Sequence, residues 1–132
     1  VAFSPLARGF LSGKVTDSSS LVEGDIRKGM PRFQTEHMQK NLPLLTELNA
    51  IGQAHQCSMA QVSLAWLLQQ GSHIHVIPGT TKMSHLHENV MASSITLSDE
   101  QINTLDKVFH HRNISGARYP AATQLEIDTE EF

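Results

Sequence analysis

Two short strand-like runs, at residues 1–3 and 73–77, constrain the fold of this chain more than any other feature. The first is typical of a short buried strand, and the second is a β-branched strand bounded by Gly71 and Pro78. Helix-like segments separate and follow the two runs, and strands that alternate with helices pack as parallel βαβ units. We therefore predict an α/β fold. Two parallel strands with free edges make a poor core, so we expect the upstream part of the fold, or another chain, to cover those edges.

The helical segments are marked by apolar spacing and by capping signals. Apolar residues recur at steps of three and four from about residue 35, at Met38, Leu42, Leu45, Leu48 and Ile51. Pro43 either kinks this helix or lies in the first turn of a second one. Ser58 and Ser98 each precede a glutamine by three residues, so we predict two capping boxes. Another helix is predicted from Ser84, and Gly52 should weaken its own helix by about 1 kcal/mol relative to alanine.

Composition narrows the possible functions. The 132 residues suffice for one domain, and scattered basic residues within a net charge of −3 argue against a nucleic-acid partner. No apolar run is long enough to span a membrane, and no metal site is expected, because no carboxylate or thiol completes a set with the histidines. The single cysteine, Cys57, cannot form an internal disulfide, which favours a cytoplasmic protein. Its place beside a capping serine favours a lowered thiol pKa.

The segment that follows the first run has the composition of an anion-binding loop. Residues 4–14 offer hydroxyls, glycines and cations, namely Ser4, Ser12, Gly9, Gly13, Arg8 and Lys14. Ligand sites of α/β proteins collect at the carboxyl ends of strands, where this loop begins. An ordinary Gly/Ser loop is the alternative. The next loop, residues 15–31, is long enough to be a candidate lid, with Leu21, Val22 and Ile26 as apolar anchors.

The turn that follows the second run is another candidate anion site. It contains a proline, a glycine, two threonines and Lys82, and a helix begins just beyond it. Unpaired N–H groups and the helix dipole attract an anion to such a helix start, and Lys82 and His85 add donors. Glu88 and Asn89, one turn further on, would either hydrogen-bond a purine edge or remain solvated. A phosphorylated nucleoside fits these groups, and a serine-capped helix after a tight turn is the alternative.

Five segments together identify a resemblance to a known family. The segments are SPLARGFLSG, PRFQTEHMQKN, AQVSLAWLLQQG, IPGTTKMSHLHEN and GARYP. In this order and spacing they resemble the aldo-keto reductases, in the branch with the IPGTTK–HL–EN form. The resemblance implies that residues 1–132 are the C-terminal half of a (β/α)8 barrel, with strands 7 and 8 and their helices. It also implies an upstream half that is missing here. The sequence itself predicts an irregular C-terminal tail at residues 113–132, which ends in the acidic IDTEEF.

The resemblance further implies an NADP(H) site divided between the two strand ends. The positions matching the pyrophosphate contacts are Ser4, Leu6, Arg8, Gly9 and Leu11. The positions matching the 2′-phosphate and adenine contacts are Ile77, Pro78, Gly79, Thr80, Thr81, Lys82, His85, Glu88 and Asn89. His85 stands where many members have arginine, which weakens the clamp on the 2′-phosphate. Gln56 stands where relatives usually have a glycine that ends a helix.

The activity implied by the resemblance is NADPH-dependent reduction of aldehydes or ketones to alcohols, with a small-molecule carbonyl as substrate. Family members use a tyrosine, a lysine, an aspartate and a histidine from the first half of the barrel, and none of these has a matching position here. Tyr119, the only tyrosine, belongs to the GARYP segment. We therefore expect no catalytic residue and negligible turnover in this chain. The alternative is a noncatalytic nucleotide-binding or interaction module, such as a truncated pseudoenzyme or a relative of the potassium-channel β subunits.

Overall fold

A two-stranded parallel sheet joins the start of the chain to its middle. The structure, a computed structural model, describes residues 1–126, and the acidic segment at residues 127–132 lies outside them. Strand β1 (Ala2–Phe3) pairs with β2 (Val76–Ile77), and the main-chain N–H of Ala2 also donates to the carbonyl of His75 at 2.7 Å. The predicted parallel pairing is confirmed. The second strand is shorter than predicted, because β1 offers only two residues for pairing and residues 71–74 form a turn.

Six α-helices, together with short 3-10 turns, make up most of the described residues. The α-helices are α1 (Thr35–Asn41), α2 (Leu45–Ala54), α3 (Met59–Leu68), α4 (Met83–Met91), α5 (Asp99–Val108) and α6 (Ala121–Gln124). Pro43 lies in a 3-10 turn, Leu42–Leu44, that separates α1 from α2. Both capping boxes are confirmed, since Ser58 and Ser98 each accept a hydrogen bond from the third helical N–H. The helix predicted from about Ser84 is confirmed as α4, which begins one residue earlier, at Met83, without a side-chain cap; the alternative of a serine cap is therefore wrong.

The main core lies where α2, α3 and α5 pack together. Its buried side chains are Leu45, Leu48, Ile51, Val62, Ala65, Leu97 and Leu105. Trp66 packs against this core while half-buried, because its indole N–H donates to the Asp106 carboxylate at 2.8 Å. A second, smaller cluster contains Leu21, Phe33 and Met38, and Phe10 contacts both clusters. Each large apolar side chain that is buried stabilises the fold by about 2–3 kcal/mol. These clusters are therefore the main source of stability.

Two predicted burial patterns are wrong. The run at residues 1–3 is not buried, since Val1 is 84% and Phe3 52% exposed. In the described residues β1 pairs with β2 alone, so its other edge is unpaired, and Phe3 stays half-exposed although the Arg118 guanidinium lies over its ring. In the loop at residues 15–31, Leu21 is buried as predicted, but Val22 and Ile26 are each 72% exposed. This loop consists of short 3-10 turns whose first N–H groups are capped by aspartates, so it needs few apolar anchors.

The turn between α2 and α3 corrects two further expectations. A Cβ added to Gly52 would lie 2.9 Å from the carbonyl oxygen of Cys57, so alanine does not fit there. Gln56 has a φ of 53°, in the left-handed region that favours glycine, as expected for a position where relatives have glycine. Burial raises the pKa of the Cys57 thiol, whereas the sequence predicted a lowered value. The adjacent Ser58 hydroxyl accepts a hydrogen bond from the main-chain N–H of Gln61 at 3.2 Å.

Candidate functional site

A cleft of about 570 Å³ opens at the carboxyl ends of β1 and β2. One wall is the loop after β1 and the other is the turn after β2 together with the first turns of α4. Its lining residues are Ser4, Pro5, Leu6, Arg8, Gly9, Ser12, Lys14, Ser58, Ala60, Ile77, Pro78, Gly79, Thr80, His85, Glu88 and Asn89. The parallel pairing places both strand ends on one side of the sheet. The two candidate anion sites of the sequence analysis therefore line one cleft.

The loop after β1 holds an unusual backbone conformation. Ser4, Ala7 and Arg8 have φ values of 48°, 47° and 56°, although none of them is glycine. A left-handed conformation costs an ordinary residue roughly 1–2 kcal/mol, and such strain collects at functional sites. The hydroxyl of Ser12 donates to the carbonyl of Gly9 at 2.7 Å and accepts from the N–H of Lys14 at 3.3 Å. These bonds hold the turn closed and place the chain of Lys14 beside the cleft.

The opposite wall combines a hydroxyl-braced turn with the start of a helix. The Thr80 hydroxyl accepts a hydrogen bond from the N–H of Lys82 at 3.1 Å, which fixes the turn before α4. No side chain caps the first N–H groups of α4, and such a helix start favours negative charge. His85 lies in the first turn, and Glu88 and Asn89 follow one turn later on the same side. This wall offers an anion several donors and places the Glu88 carboxylate farther along the helix.

The structure assembles most of the predicted site residues and separates three of them. Leu11 does not line the cleft but a neighbouring cavity of about 210 Å³, whose walls include Arg32, Phe33 and Trp66. Thr81 and Lys82 are exposed at the edge of the turn and do not line the cleft. Ser4 and Arg8 line both cavities, so they form part of the wall between them.

Two cleft residues, Ser58 and Ala60, escaped the sequence analysis. They belong to the start of α3, which reaches the cleft because Gly13 packs directly against the side chain of Met59. The capping box at Ser58 identified the helix start, but the sequence carried no signal that this start meets the loop after β1. Ser12 and Lys14 were recognised as polar groups of the loop, although the family positions did not include them.

The loop at residues 15–31 is attached to the cleft by Arg27. Its guanidinium binds the Asp25 carboxylate at 2.6 Å and donates to the main-chain carbonyl of Arg8 at 3.1 Å. The hydrogen bonds from Arg27 lower the pKa of Asp25 to about 2. The same guanidinium lies 5.9 Å from the centre of the Phe33 ring, which belongs to the second hydrophobic cluster. Arg27 thus connects a strained cleft residue to the packed part of the domain.

Other kinds of site have less support in the described part of the chain. Residues 1–126 contain no group of three histidine, cysteine, aspartate or glutamate side chains arranged to hold a metal ion. None of their helices combines the length and the apolar surface needed to cross a lipid bilayer.

The parallel strands and the cleft at their carboxyl ends are typical of α/β proteins that bind ligands at that edge. The family model described as the aldo/keto reductase family matches residues 1–110, and the chain belongs to that family of oxidoreductases. The family fold is a (β/α)8 barrel, of which the described residues contain a mostly helical part.

Three curated relatives show how much of such a protein the chain represents. The NADP(+) aldo-keto reductase yakc of Schizosaccharomyces pombe is 40% identical over 98% of this chain and 38% of its own length. The aldo-keto reductase str7 of Strobilurus tenacellus is 37% identical over 100% of this chain and 39% of its own length. Probable aldo-keto reductase 1 of Glycine max is 37% identical over 90% of the chain and 34% of its own length. The chain spans about two fifths of these relatives.

Proposed function

We propose that this chain is the part of an NADP-dependent aldo-keto reductase barrel that binds the pyrophosphate and adenosine ends of the cofactor. In this proposal β1 and β2 are the seventh and eighth strands of the barrel. One observation carries it: a single cleft is lined by both the loop after β1 and the turn after β2. A dinucleotide needs such a continuous site, because its phosphates and its adenosine are covalently joined.

The loop after β1 would bind the pyrophosphate. Ser4, Arg8, Gly9 and Lys14 line the cleft there, and the two cations offset the charge of the phosphates. Gly9 has a φ of 93° and no Cβ, so the backbone presents little bulk to a ligand. Leu6 contributes an apolar wall, and Leu11 supports the loop from the neighbouring cavity.

The turn after β2 and the start of α4 would bind the adenosine 2′-phosphate and the adenine. Gly79, Thr80 and His85 face the cleft, and the helix start favours an anion beside them. Thr81 and Lys82, which are exposed at the edge of the turn, would contact a 2′-phosphate that projects out of the cleft. Glu88 and Asn89 would hydrogen-bond the adenine edge, while Ile77 and Pro78 form the floor.

The bound cofactor would supply the hydride that reduces an aldehyde or a ketone to an alcohol. The residues of this chain would hold and orient the cofactor, and the proton donor would come from the other half of the barrel. That half would also cover the exposed apolar side chains of Phe3 and Ile77 at the sheet and of Met83 and Leu86 on α4. A reducing compartment such as the cytoplasm suits a chain whose only cysteine has no internal partner.

Titration with NADPH and NADH tests this function directly. We expect calorimetry or nicotinamide fluorescence to show binding of NADPH that is tighter than binding of NADH, because only NADPH carries a 2′-phosphate. Arg8→Ala should weaken the binding of both nucleotides by about tenfold, as expected for a lost charge-assisted hydrogen bond. Arg112→Ala, at an exposed arginine that does not line the cleft, is the matched control. Absence of NADPH binding by the wild-type chain would overturn the proposal.

A noncatalytic nucleotide-binding module is the second candidate, favoured by the position of the only tyrosine. Tyr119 lies against the guanidinium of Arg8 and is not among the residues that line the cleft. A chain with the cofactor site but no proton donor would bind nucleotide without turnover. Adding an aldehyde to the NADPH complex and following absorbance of the reduced nicotinamide distinguishes the two candidates. Cofactor oxidation by the 132-residue chain alone would exclude the binding module.

A further inference from the structure

The GARYP segment, residues 116–120, is held on α1 by a buried amide. The Asn41 side chain, which is 4% exposed, donates to the carbonyl of Ser115 at 2.9 Å and accepts from its N–H at 2.7 Å. The Ser115 hydroxyl shares a hydrogen bond of 2.8 Å with the ring of His37. Arg32 donates to the carbonyl of Gly116 at 3.1 Å. A buried asparagine that pairs both of its amide atoms with one backbone residue fixes that residue closely.

Glycine is required where the segment turns away from α1. Gly116 has a φ of 88°, and a Cβ there would lie 2.9 Å from the His37 ring. Any other residue would meet both the strained backbone and the ring. The backbone conformation at Gly116 therefore fixes the direction in which the segment leaves α1. This direction brings the two residues that carry the motif's chemistry, Arg118 and Tyr119, against the first residues of the chain.

Arg118 and Tyr119 contact β1 and the loop that follows it. The guanidinium of Arg118 lies 4.5 Å from the centre of the Phe3 ring and 5.5 Å from that of Tyr119. The guanidinium of Arg8 lies 5.1 Å from the centre of the same Tyr119 ring. These distances are within the range in which a cation is attracted to an aromatic ring. The Tyr119 ring is therefore in contact with two guanidinium groups, and one of them, that of Arg8, lines the cleft.

The backbone of Arg8 is held independently of its side chain. Its carbonyl accepts the hydrogen bond from Arg27, and its left-handed φ leaves little freedom to the main chain. A long arginine side chain would still sample many rotamers and would lose that freedom when it binds a phosphate. The Tyr119 ring limits this sampling before any ligand arrives, so less entropy is lost on binding.

We propose that Tyr119 is a positioning residue, whose ring holds the Arg8 guanidinium at the wall of the cleft for the phosphates of a dinucleotide. This role rests on the proposed cofactor site and adds to it a residue outside the cleft. It also explains the arrangement of the GARYP segment, in which Asn41 and Gly116 direct the chain and Tyr119 orders Arg8. Because Arg8 is assigned to the pyrophosphate, the effect of Tyr119 should be absent for nucleotides that lack a pyrophosphate.

Two ligands and four variants, one of them a double variant, test the role in the 132-residue chain. NADPH contains the pyrophosphate, whereas adenosine 2′-monophosphate contains only the groups assigned to the turn after β2. Tyr119→Leu should weaken NADPH binding by about two- to fivefold, the range expected for loss of one exposed cation–π contact. It should leave binding of adenosine 2′-monophosphate unchanged. Tyr119→Phe keeps the ring and should match the wild type for both ligands. In an Arg8→Ala background, Tyr119→Leu should have no further effect.

The possible results separate this role from a structural one and from failure of the cofactor site. Equal weakening of both ligands by Tyr119→Leu, or the same weakening in the Arg8→Ala background, would show that the tyrosine merely supports the fold. Unchanged NADPH binding in Tyr119→Leu would also overturn the role, while leaving the proposed function intact. Failure of the wild type to bind NADPH would overturn both. Thermal unfolding of each variant is recorded alongside, and Tyr119→Met, a long side chain without a ring, replaces leucine if that variant unfolds.

Discussion

Arg27 donates a hydrogen bond of 3.1 Å from its guanidinium to the main-chain carbonyl of Arg8, across the whole of the intervening loop. The donor is itself held by Asp25, which accepts at 2.6 Å and also caps the N–H of Arg27 at 2.9 Å. The loop at residues 15–31 is thus attached to the strained backbone of the cleft. Any movement of this loop as a lid would first break the bond between these two arginines.

Asp25→Asn should lower the stability of the fold at neutral pH but not near pH 2. The folded pKa of Asp25 is about 2, below the ordinary value of 3.8, because Arg27 donates hydrogen bonds to the ionised form. The carboxylate therefore favours the fold above about pH 4, and this contribution is lost as the pH falls through about 2. We expect wild type to melt at a higher temperature than Asp25→Asn at neutral pH and the two to converge near pH 2. Thermal melts across this range measure the difference.

Glu126→Gln is the control for that experiment. Glu126 is an exposed carboxylate in the tail, so its variant should follow the wild type at every pH. A gap between wild type and Asp25→Asn that stays constant down to about pH 2 would show that the ionised pair contributes nothing to folding.

Gly52→Ala should destabilise the protein, although alanine is the better helix former. The substitution gains about 1 kcal/mol of helix propensity. It also pushes a methyl group against the Cys57 carbonyl in a buried turn, and overpacking of this kind costs roughly 1–3 kcal/mol. Urea unfolding should therefore show a net loss. Gly29→Ala, where the added methyl group meets open space, is the control, and a stabilised Gly52→Ala variant would contradict the close contact.

Gln56→Gly should stabilise the protein. The residue has a φ of 53°, a conformation that costs an L-residue roughly 1–2 kcal/mol and glycine almost nothing. Part of this gain is offset by the greater freedom of glycine in the unfolded chain, so we expect a net gain of about 1 kcal/mol. Gln53→Gly makes the same chemical change in the helical part of α2 and should lose about 1 kcal/mol. Urea unfolding that shifts both variants in the same direction would contradict the difference in backbone conformation.

The place of the cleft was predictable from the order of strands and helices, although it depends on pairing between distant strands. Both candidate turns follow strands, the strands alternate with helices, and parallel pairing then places their ends at one edge. The capping boxes were predictable from local rules, since a serine and a glutamine three residues apart act within one turn. The family resemblance, which the comparisons confirm, assigned chemistry to the same residues.

What escaped prediction depends on contacts between distant segments. The sequence predicted a buried strand at residues 1–3, but Phe3 is exposed, because exposure depends on what covers the sheet. The approach of Ser58 to the cleft requires the contact between Gly13 and Met59, which no local pattern encodes. The meeting of Tyr119 with Arg8 depends on the turn at Gly116 and on its attachment to α1. Such contacts follow from the packing of whole elements rather than from spacing along the chain.

Lys14→Ala should weaken NADPH binding and reduce its dependence on salt. Lys14 lines the cleft with an exposed side chain, so its charge would act on the phosphates of a bound cofactor through water. An exposed charge of this kind contributes a fraction of 1 kcal/mol, and we expect the dissociation constant to rise about threefold. Lys107→Ala, at an exposed lysine on α5 that does not line the cleft, is the control. Equal effects of the two substitutions would assign the change to net charge rather than to the cleft.

His85→Arg should raise the affinity for NADPH and leave that for NADH unchanged. His85 lies half-buried at the cleft wall in the first turn of α4, where a 2′-phosphate would meet the helix start. A guanidinium is always charged and can bind a phosphate with two hydrogen bonds, so we expect NADPH to bind about threefold more tightly, at the lower end of such contacts. His87→Arg is the matched control, because His87 is exposed and does not line the cleft. Titrations of both variants with NADPH and with NADH measure the difference. If His85→Arg also bound NADH more tightly, or if His87→Arg gave the same gain for NADPH, the gain would come from added charge alone. Residue 85 would then make no contact with the 2′-phosphate.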